Sequence, residues 1–149
     1  MQYFINHAAI ERAAEEAFTG PRARYVLFGV IALAVSAAAG AAIGAIWLGL
    51  ALLVDAGRTA LSAKLQTLSV AQTRAAHLAL DLVSAASLAC APAIAWYARG
   101  ELGVALAVTM LAVLVMDTAF RARRGRIHTL VSCAPYALVG LLFLLEAAA

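Results

Sequence analysis

Charged residues are scarce in this sequence. Asp, Glu, Lys and Arg make up 13% of its 149 residues, about half of the ~25% found in soluble domains. Hydrophobic residues make up 65%, against roughly 45–50% in soluble domains. A water-soluble core of this size cannot bury so much apolar surface, and the remainder would form larger exposed patches than soluble monomers tolerate. The composition therefore predicts an integral membrane protein.

Motifs of catalysis and phosphate binding are also absent. The chain has no glycine-rich phosphate loop, no serine in a nucleophile elbow, no His-Glu-x-x-His pair and no acidic cluster for magnesium. It also lacks a carboxylate in the middle of a broken membrane helix, the feature expected of a small ion-coupled transporter. We therefore expect a non-catalytic protein with no metal site and no cofactor.

Cysteine and basic residues exclude two further classes. Cys90 and Cys133 both lie in apolar runs, where a thiol behaves as a small hydrophobe, so we expect no disulfide framework. The net charge is +3, but the basic residues lie in clusters between the apolar runs. Such clusters favour contact with anionic lipid headgroups, and we expect no binding to nucleic acid.

The first 21 residues differ from the rest of the chain. Residues 1–21 mix apolar and charged side chains in a pattern compatible with an amphipathic helix, which Gly20 and Pro21 end. Such a helix could lie on the membrane or dock on a partner, or the segment could be a solvated leader. Because it lacks a basic start and a long apolar stretch, we do not expect it to be a cleaved signal peptide. Residues 22–149 are predicted to form a transmembrane helical domain.

Four apolar runs define the membrane spans. Residues 25–54 carry no charge, and three shorter runs follow at 82–98, 102–116 and 129–145. The first run is long for one span, which needs about 20 residues, and short for two. It is either one tilted helix or a hairpin near Ala39 and Gly40. The series Ser36, Gly40 and Gly44 would suit a long helix that packs closely on a neighbour.

The distribution of positive charge favours the hairpin. With five spans, ten of the eleven Lys and Arg residues share one side of the membrane and only Arg99 lies opposite. With four spans the asymmetry is much weaker. Because cytoplasmic connectors carry the excess of Lys and Arg, we predict an all-α bundle of five spans with a cytoplasmic N-terminus. Trp96 and Tyr97 then fit an aromatic belt at the outer surface.

Polar residues lie along one face of the third predicted span. Arg74, His77, Asp81 and Ser84 are spaced at i, i+3, i+7 and i+10. His77 and Asp81 are four residues apart and could hydrogen-bond directly. In the five-span topology further polar residues approach the same side of the membrane. The complete candidate cluster is His77, Asp81, Asp117, Arg121 and His128.

Two interpretations of this cluster are open. It could be a proton-responsive or ligand-binding site, or supply a histidine ligand to a metal or porphyrin. Alternatively, it could consist of hydrogen bonds between helices and contacts with headgroups that hold the bundle in register. The tripeptide Cys-Ala-Pro, at 90–92 and 133–135, adds prolines within two spans. Pro92 and Pro135 are predicted to kink their helices, although chance and simple packing also explain the repeat.

Residues 24–147 resemble the multi-helix N-terminal membrane region of bacterial sensor histidine kinases and related signalling proteins. The resemblance rests on the hairpin-like first run with Trp47, the closing segment 55–58, the long connector that reaches Arg74 and His77, and the span ending in AWYARGE. It implies a sensory or anchoring domain whose conformational change passes to a cytoplasmic kinase or cyclase. The sequence contains neither a phosphoacceptor helix nor a nucleotide-binding domain. The chain would therefore be a piece of a longer protein or signal through another chain.

Three functions are compatible with these features. The first is a non-catalytic sensory or signal-transducing module of the bacterial cytoplasmic membrane, which forms a homodimer or a larger assembly and regulates a cytoplasmic partner. The second is an accessory subunit of a larger membrane complex, in which His77 or His128 could hold a pigment or haem. The third is a small transporter.

Overall fold

The computed structural model of the chain describes residues 21–65, 69–98, 100–121 and 126–149, which form five helices and no strand. Each helix is long and apolar enough to cross a membrane. This confirms the predicted all-α transmembrane bundle, with five spans rather than four. The predicted amphipathic segment lies outside the described residues, except for Pro21. The helices are α1 (Pro21–Ala39), α2 (Ala41–Lys64), α3 (Val70–Tyr97), α4 (Glu101–Arg121) and α5 (Arg126–Ala148).

The first apolar run folds back on itself at Gly40, the single residue between α1 and α2. Its φ of +100° is one that glycine adopts without steric cost. Gly44 then lies against α1, where a Cβ would clash with Ser36 Oγ and lie 2.7 Å from the carbonyl oxygen of Ala32. Ser36 and Gly44 therefore meet across the hairpin. Gly40, the third member of the small-residue series, forms the turn instead of a packing face.

Helix α3 is the centre of the bundle and packs against each of the other four helices. It begins at a capping box, in which Ser69 and Gln72 satisfy each other's backbone N–H groups. Pro92 in α3 and Pro135 in α5 are both buried inside their helices. Each removes the backbone donor that the carbonyl four residues earlier would use. The predicted kinks at these positions stay predictions.

Alanine is the commonest residue of the bundle interior, while many large apolar side chains point outward. Small side chains allow membrane helices to approach closely, and large ones on the outside suit a lipid solvent but would aggregate in water. This distribution identifies the outer surface of the bundle as a membrane surface. Buried alanines include Ala51, Ala85, Ala89, Ala91, Ala95 and Ala107, and exposed large residues include Val26, Leu33, Leu53, Leu130 and Leu144.

Candidate functional site

Charged residues from all five helices meet at one end of the bundle. This end is formed by the N-terminal parts of α1, α3 and α5 together with the C-terminal parts of α2 and α4, and we call it the charged end. The opposite end contains the turns at Gly40 and Gly100 and the residue Glu146. The residues that define the charged end are Arg24, Asp55, Arg58, His77, Asp81, Asp117 and His128.

An ion pair between Arg24 and Asp55 joins α1 to α2. Arg24 Nη1 donates to Asp55 Oδ1 over 2.6 Å, with side chains only 23% and 10% exposed. Asp55 is also the only charged residue that is buried in the described part of the chain. Charges this deep in a membrane bundle usually face its interior and pair with one another. This pair therefore holds the two arms of the hairpin together at the end remote from the turn.

A second network joins three helices through Asp81 of α3. Arg58 Nη2 of α2 donates to Asp81 Oδ1 over 2.6 Å, and His128 Nδ1 of α5 lies 3.1 Å from Asp81 Oδ2. An ionised carboxylate only accepts hydrogen bonds, so His128 must carry its hydrogen on Nδ1. The carboxylate of Asp81 thus links α2 and α5 to the central helix, and its charge determines the strength of both links.

The pair of Arg24 and Asp55 and the network around Asp81 line one cavity of about 110 Å³. All five helices surround it. One wall is apolar and includes Leu27, Phe28 and Leu88. The rest is polar, so the cavity can accommodate a molecule with both polar and apolar parts. A crevice of about 250 Å³ shares Arg24, Arg58 and Asp81 with the cavity. Hydroxyl groups lining the cavity belong to Ser84, Ser87, Thr118, Thr129, Ser132 and Tyr136.

Ser84 contributes a hydroxyl group that is buried without a partner. Its Oγ makes no hydrogen bond with any described residue, whereas the neighbouring Ser87 donates to the carbonyl of Ser84. Most buried polar atoms in proteins have a hydrogen-bonding partner, and an exception needs an explanation. Ser84 lines the cavity, and rotation about its Cα–Cβ bond would turn the buried oxygen toward a molecule bound there.

Most of the predicted cluster lies around these cavities. Asp81, Asp117 and His128 line the central cavity, and His77 lines the crevice. His77 and Asp81 could have hydrogen-bonded directly, but His77 Nδ1 lies 3.0 Å from the carbonyl oxygen of Thr73 instead. Arg121 is the last residue of α4, but its side chain is outside the described part of the structure.

Three important members of the site were not among the predicted cluster. Arg24 and Arg58 counted in the sequence only as orientation signals, and Asp55 only as the end of the first apolar run. The position of the hairpin turn in the sequence could have predicted that Arg24 and Asp55 meet. Arg24 lies 16 residues before Gly40 and Asp55 lies 15 residues after it, so equal rise along two antiparallel helices brings them together.

Trp47 lies deeper in the bundle and supports the cavity wall. Its ring is 3% exposed and meets Phe28 edge to face, with 6.5 Å between ring centroids. Its Nε1 donates to the carbonyl oxygen of Ser87 over 3.2 Å. Trp47 therefore fills volume beneath Phe28 rather than lining the cavity.

Aromatic residues and one carboxylate join α3 to α5 at the opposite end. Trp96 Nε1 and Tyr97 Oη donate to the two carboxylate oxygens of Glu146 over 2.7 and 2.6 Å. Trp96 also stacks on Phe143 with 4.2 Å between centroids. Trp96 and Tyr97, predicted to form an interfacial belt, thus also fasten the two helices together. We call these four residues the aromatic clasp.

Neither the histidines nor the comparisons identify a cofactor. His77 and His128 both use Nδ1 in the contacts described above, which leaves Nε2 as the atom that could meet a ligand. Within the described ranges, no group of three or more His, Cys, Asp or Glu residues is placed to hold a metal ion. Comparison with protein-family models, curated proteins and solved structures finds no match for this chain.

Proposed function

We propose that the chain is a non-catalytic sensory module of a bacterial cytoplasmic membrane, which regulates a cytoplasmic signalling partner through movement of α5 and α2 against α3. The observation that supports it most directly is the network of Arg58, Asp81 and His128. It joins three helices through one carboxylate beside a cavity. A change in charge or occupancy at this point alters two helix contacts at once, which is what a switch requires.

The network contains a histidine, the residue type that proteins most often use as a pH switch. When His128 gains a proton, its attraction to Asp81 increases, and α5 is drawn toward α3. Protonation of Asp81 would have the opposite effect, because both of its partners would lose a negative acceptor. Further charged and titratable groups line the cavity and the crevice. They are Arg24 of α1, Asp55 and Arg58 of α2, His77 of α3 and Asp117 of α4.

The proposed role requires the charged end to face the cytoplasm. Five spans leave ten of the eleven basic residues on this side, as the excess of Lys and Arg in cytoplasmic loops demands. Topology reporters fused after residues 40, 70, 99, 124 and 149 test the orientation. We expect cytoplasmic activity after 70 and 124 and external activity after 40, 99 and 149. External activity at 70 and 124 would contradict the proposal.

Distance measurements between spin labels test the switch itself. Ala56 of α2 and Leu130 of α5 are exposed near the charged end, so each can carry a label after replacement by Cys in a Cys90→Ala, Cys133→Ala background. Between pH 8 and pH 5.5 in lipid nanodiscs we expect the separation of the labels to shorten by about 2 Å, a typical helix shift. The Asp81→Asn variant should lose this response, because it lacks the charge that attracts His128.

A second histidine provides the matched control. His77 lies at the same end, but its Nδ1 meets the carbonyl oxygen of Thr73 rather than Asp81, so His77→Gln should keep the pH-dependent shortening. If Asp81→Asn responds to pH as the parent does, the network is a static structural link and the sensory role is wrong. The predicted homodimer or larger assembly is a separate proposal, which light scattering of the purified protein tests.

A further inference from the structure

Three polar groups around the central cavity have unused hydrogen-bonding capacity. Asp55 uses Oδ1 for Arg24, and its Oδ2 accepts no hydrogen bond from the described residues. Arg24 uses only Nη1, so its remaining N–H groups also have no partner among them. Ser84 Oγ is buried and unpartnered. The residues that carry this acceptor, these donors and this hydroxyl all line the same cavity.

The arrangement of these groups restricts the ligand. A plain anion would meet Arg24 favourably but would be repelled by Asp55, and a plain cation would have the reverse difficulty. A molecule with both charges can satisfy both residues while their mutual ion pair is kept. The cavity of about 110 Å³ has room for only a few heavy atoms, since one water occupies about 30 Å³ in the liquid.

We propose that the cavity binds a small zwitterion, a solute that carries a protonated amine and a carboxylate and is the size of the smallest amino acids. The carboxylate accepts from the remaining N–H groups of Arg24. The amine donates to Asp55 Oδ2 and, once the Ser84 side chain rotates toward it, to Ser84 Oγ. As an account of the signal that the module detects, this inference rests on the proposed sensory function, but binding itself can be measured independently.

Direct binding of radiolabelled glycine to the purified chain in nanodiscs tests the proposal. We expect saturable binding, with acetate and methylammonium competing at least tenfold more weakly than unlabelled glycine because each satisfies only one of the two charged residues. Binding that does not saturate would overturn the proposal. Equal competition by acetate or methylammonium would also overturn it, because the site would then recognise a single charge.

Two serine variants locate the site. Ser84→Ala removes the unpartnered hydroxyl, and we expect glycine affinity to fall about tenfold, the effect of losing one hydrogen bond to a charged group. Ser36→Ala is the matched control, because its hydroxyl bonds to the carbonyl of Ala32 near the turn at the opposite end. Circular dichroism checks that both variants are folded. Unchanged affinity in folded Ser84→Ala would contradict the proposed site.

The experiments can disprove the zwitterion site and the sensory role independently of each other. If the labels on α2 and α5 respond to pH but glycine does not bind, the zwitterion site is wrong and the sensory role stands. If glycine binds with the expected selectivity but the labels respond neither to pH nor to glycine, the site stands and the sensory role is wrong.

Discussion

The two ends of the bundle hold their helices together by different means. At the opposite end, α1 and α2 approach so closely that Gly44 has no room for a Cβ, and the aromatic clasp joins α3 to α5. At the charged end the same helices are joined by ion pairs around a cavity. Close packing has few alternative arrangements, whereas ion pairs change with protonation and with ligands.

This contrast assigns different roles to the two ends. Packed interfaces between small residues resist displacement because any separation loses many contacts at once. Ion pairs in a partly buried site gain little net stability, because desolvation offsets much of the attraction. We therefore expect the opposite end to act as a fixed hinge, about which the helices move at the charged end.

The largest effect is expected from placing a larger side chain in the tight contact at Gly44. In Gly44→Val, the added side chain would overlap Ser36 and the carbonyl of Ala32, so α1 and α2 must separate. We expect the free energy of unfolding to fall by about 3 kcal/mol or more, as for severe overpacking. Unfolding of the purified protein in detergent, followed by circular dichroism, measures this change.

Gly49 provides the control for this variant. It lies in the same helix, is exposed, and a Cβ there would meet nothing within 4 Å. Gly49→Val should therefore leave stability nearly unchanged. If the two valine variants are equally stable, the close approach of α1 and α2 does not hold the hairpin together.

Breaking the ion pair between Arg24 and Asp55 should have the next largest effect. Asp55→Ala leaves the guanidinium of Arg24 in a site where it is mostly buried, and we expect a loss of about 3 kcal/mol from the unpaired charge. The double variant Arg24→Met, Asp55→Leu should recover most of this loss, since apolar pairs of similar size can replace buried ion pairs. The same unfolding measurement tests both variants. A double variant less stable than Asp55→Ala would show that the pair itself stabilises the bundle.

The charge pattern and run lengths were sufficient to predict five spans and the location of the polar site. They brought Asp81, Asp117 and His128 to one side of the membrane, where the structure places them around one cavity. They did not predict partners, because lateral pairing depends on how each helix rotates about its axis. In the structure the partner of Asp81 is therefore Arg58, and not His77, which the spacing had suggested.

The same reason explains what was missed at the opposite end. An aromatic residue beside a membrane surface has the same sequence signature whether it faces lipid headgroups or another helix. Glu146 is 50 residues from Trp96, and only the packing of α5 against α3 brings them together. Sequence periodicity contains no information about such a contact.

The smallest effect is expected at the carboxylate of the aromatic clasp. Glu146 accepts one hydrogen bond on each oxygen, and in Glu146→Gln the amide nitrogen cannot accept the second. Because these groups are exposed, the released donor can turn to water or headgroups. We expect a lower unfolding temperature than for Glu101→Gln, an exposed control at the same end, but a smaller decrease than for Asp55→Ala. If Glu146→Gln lowered it as much as Asp55→Ala, the clasp would depend on electrostatics as the charged end does, and the assignment of hinge and moving end would be lost.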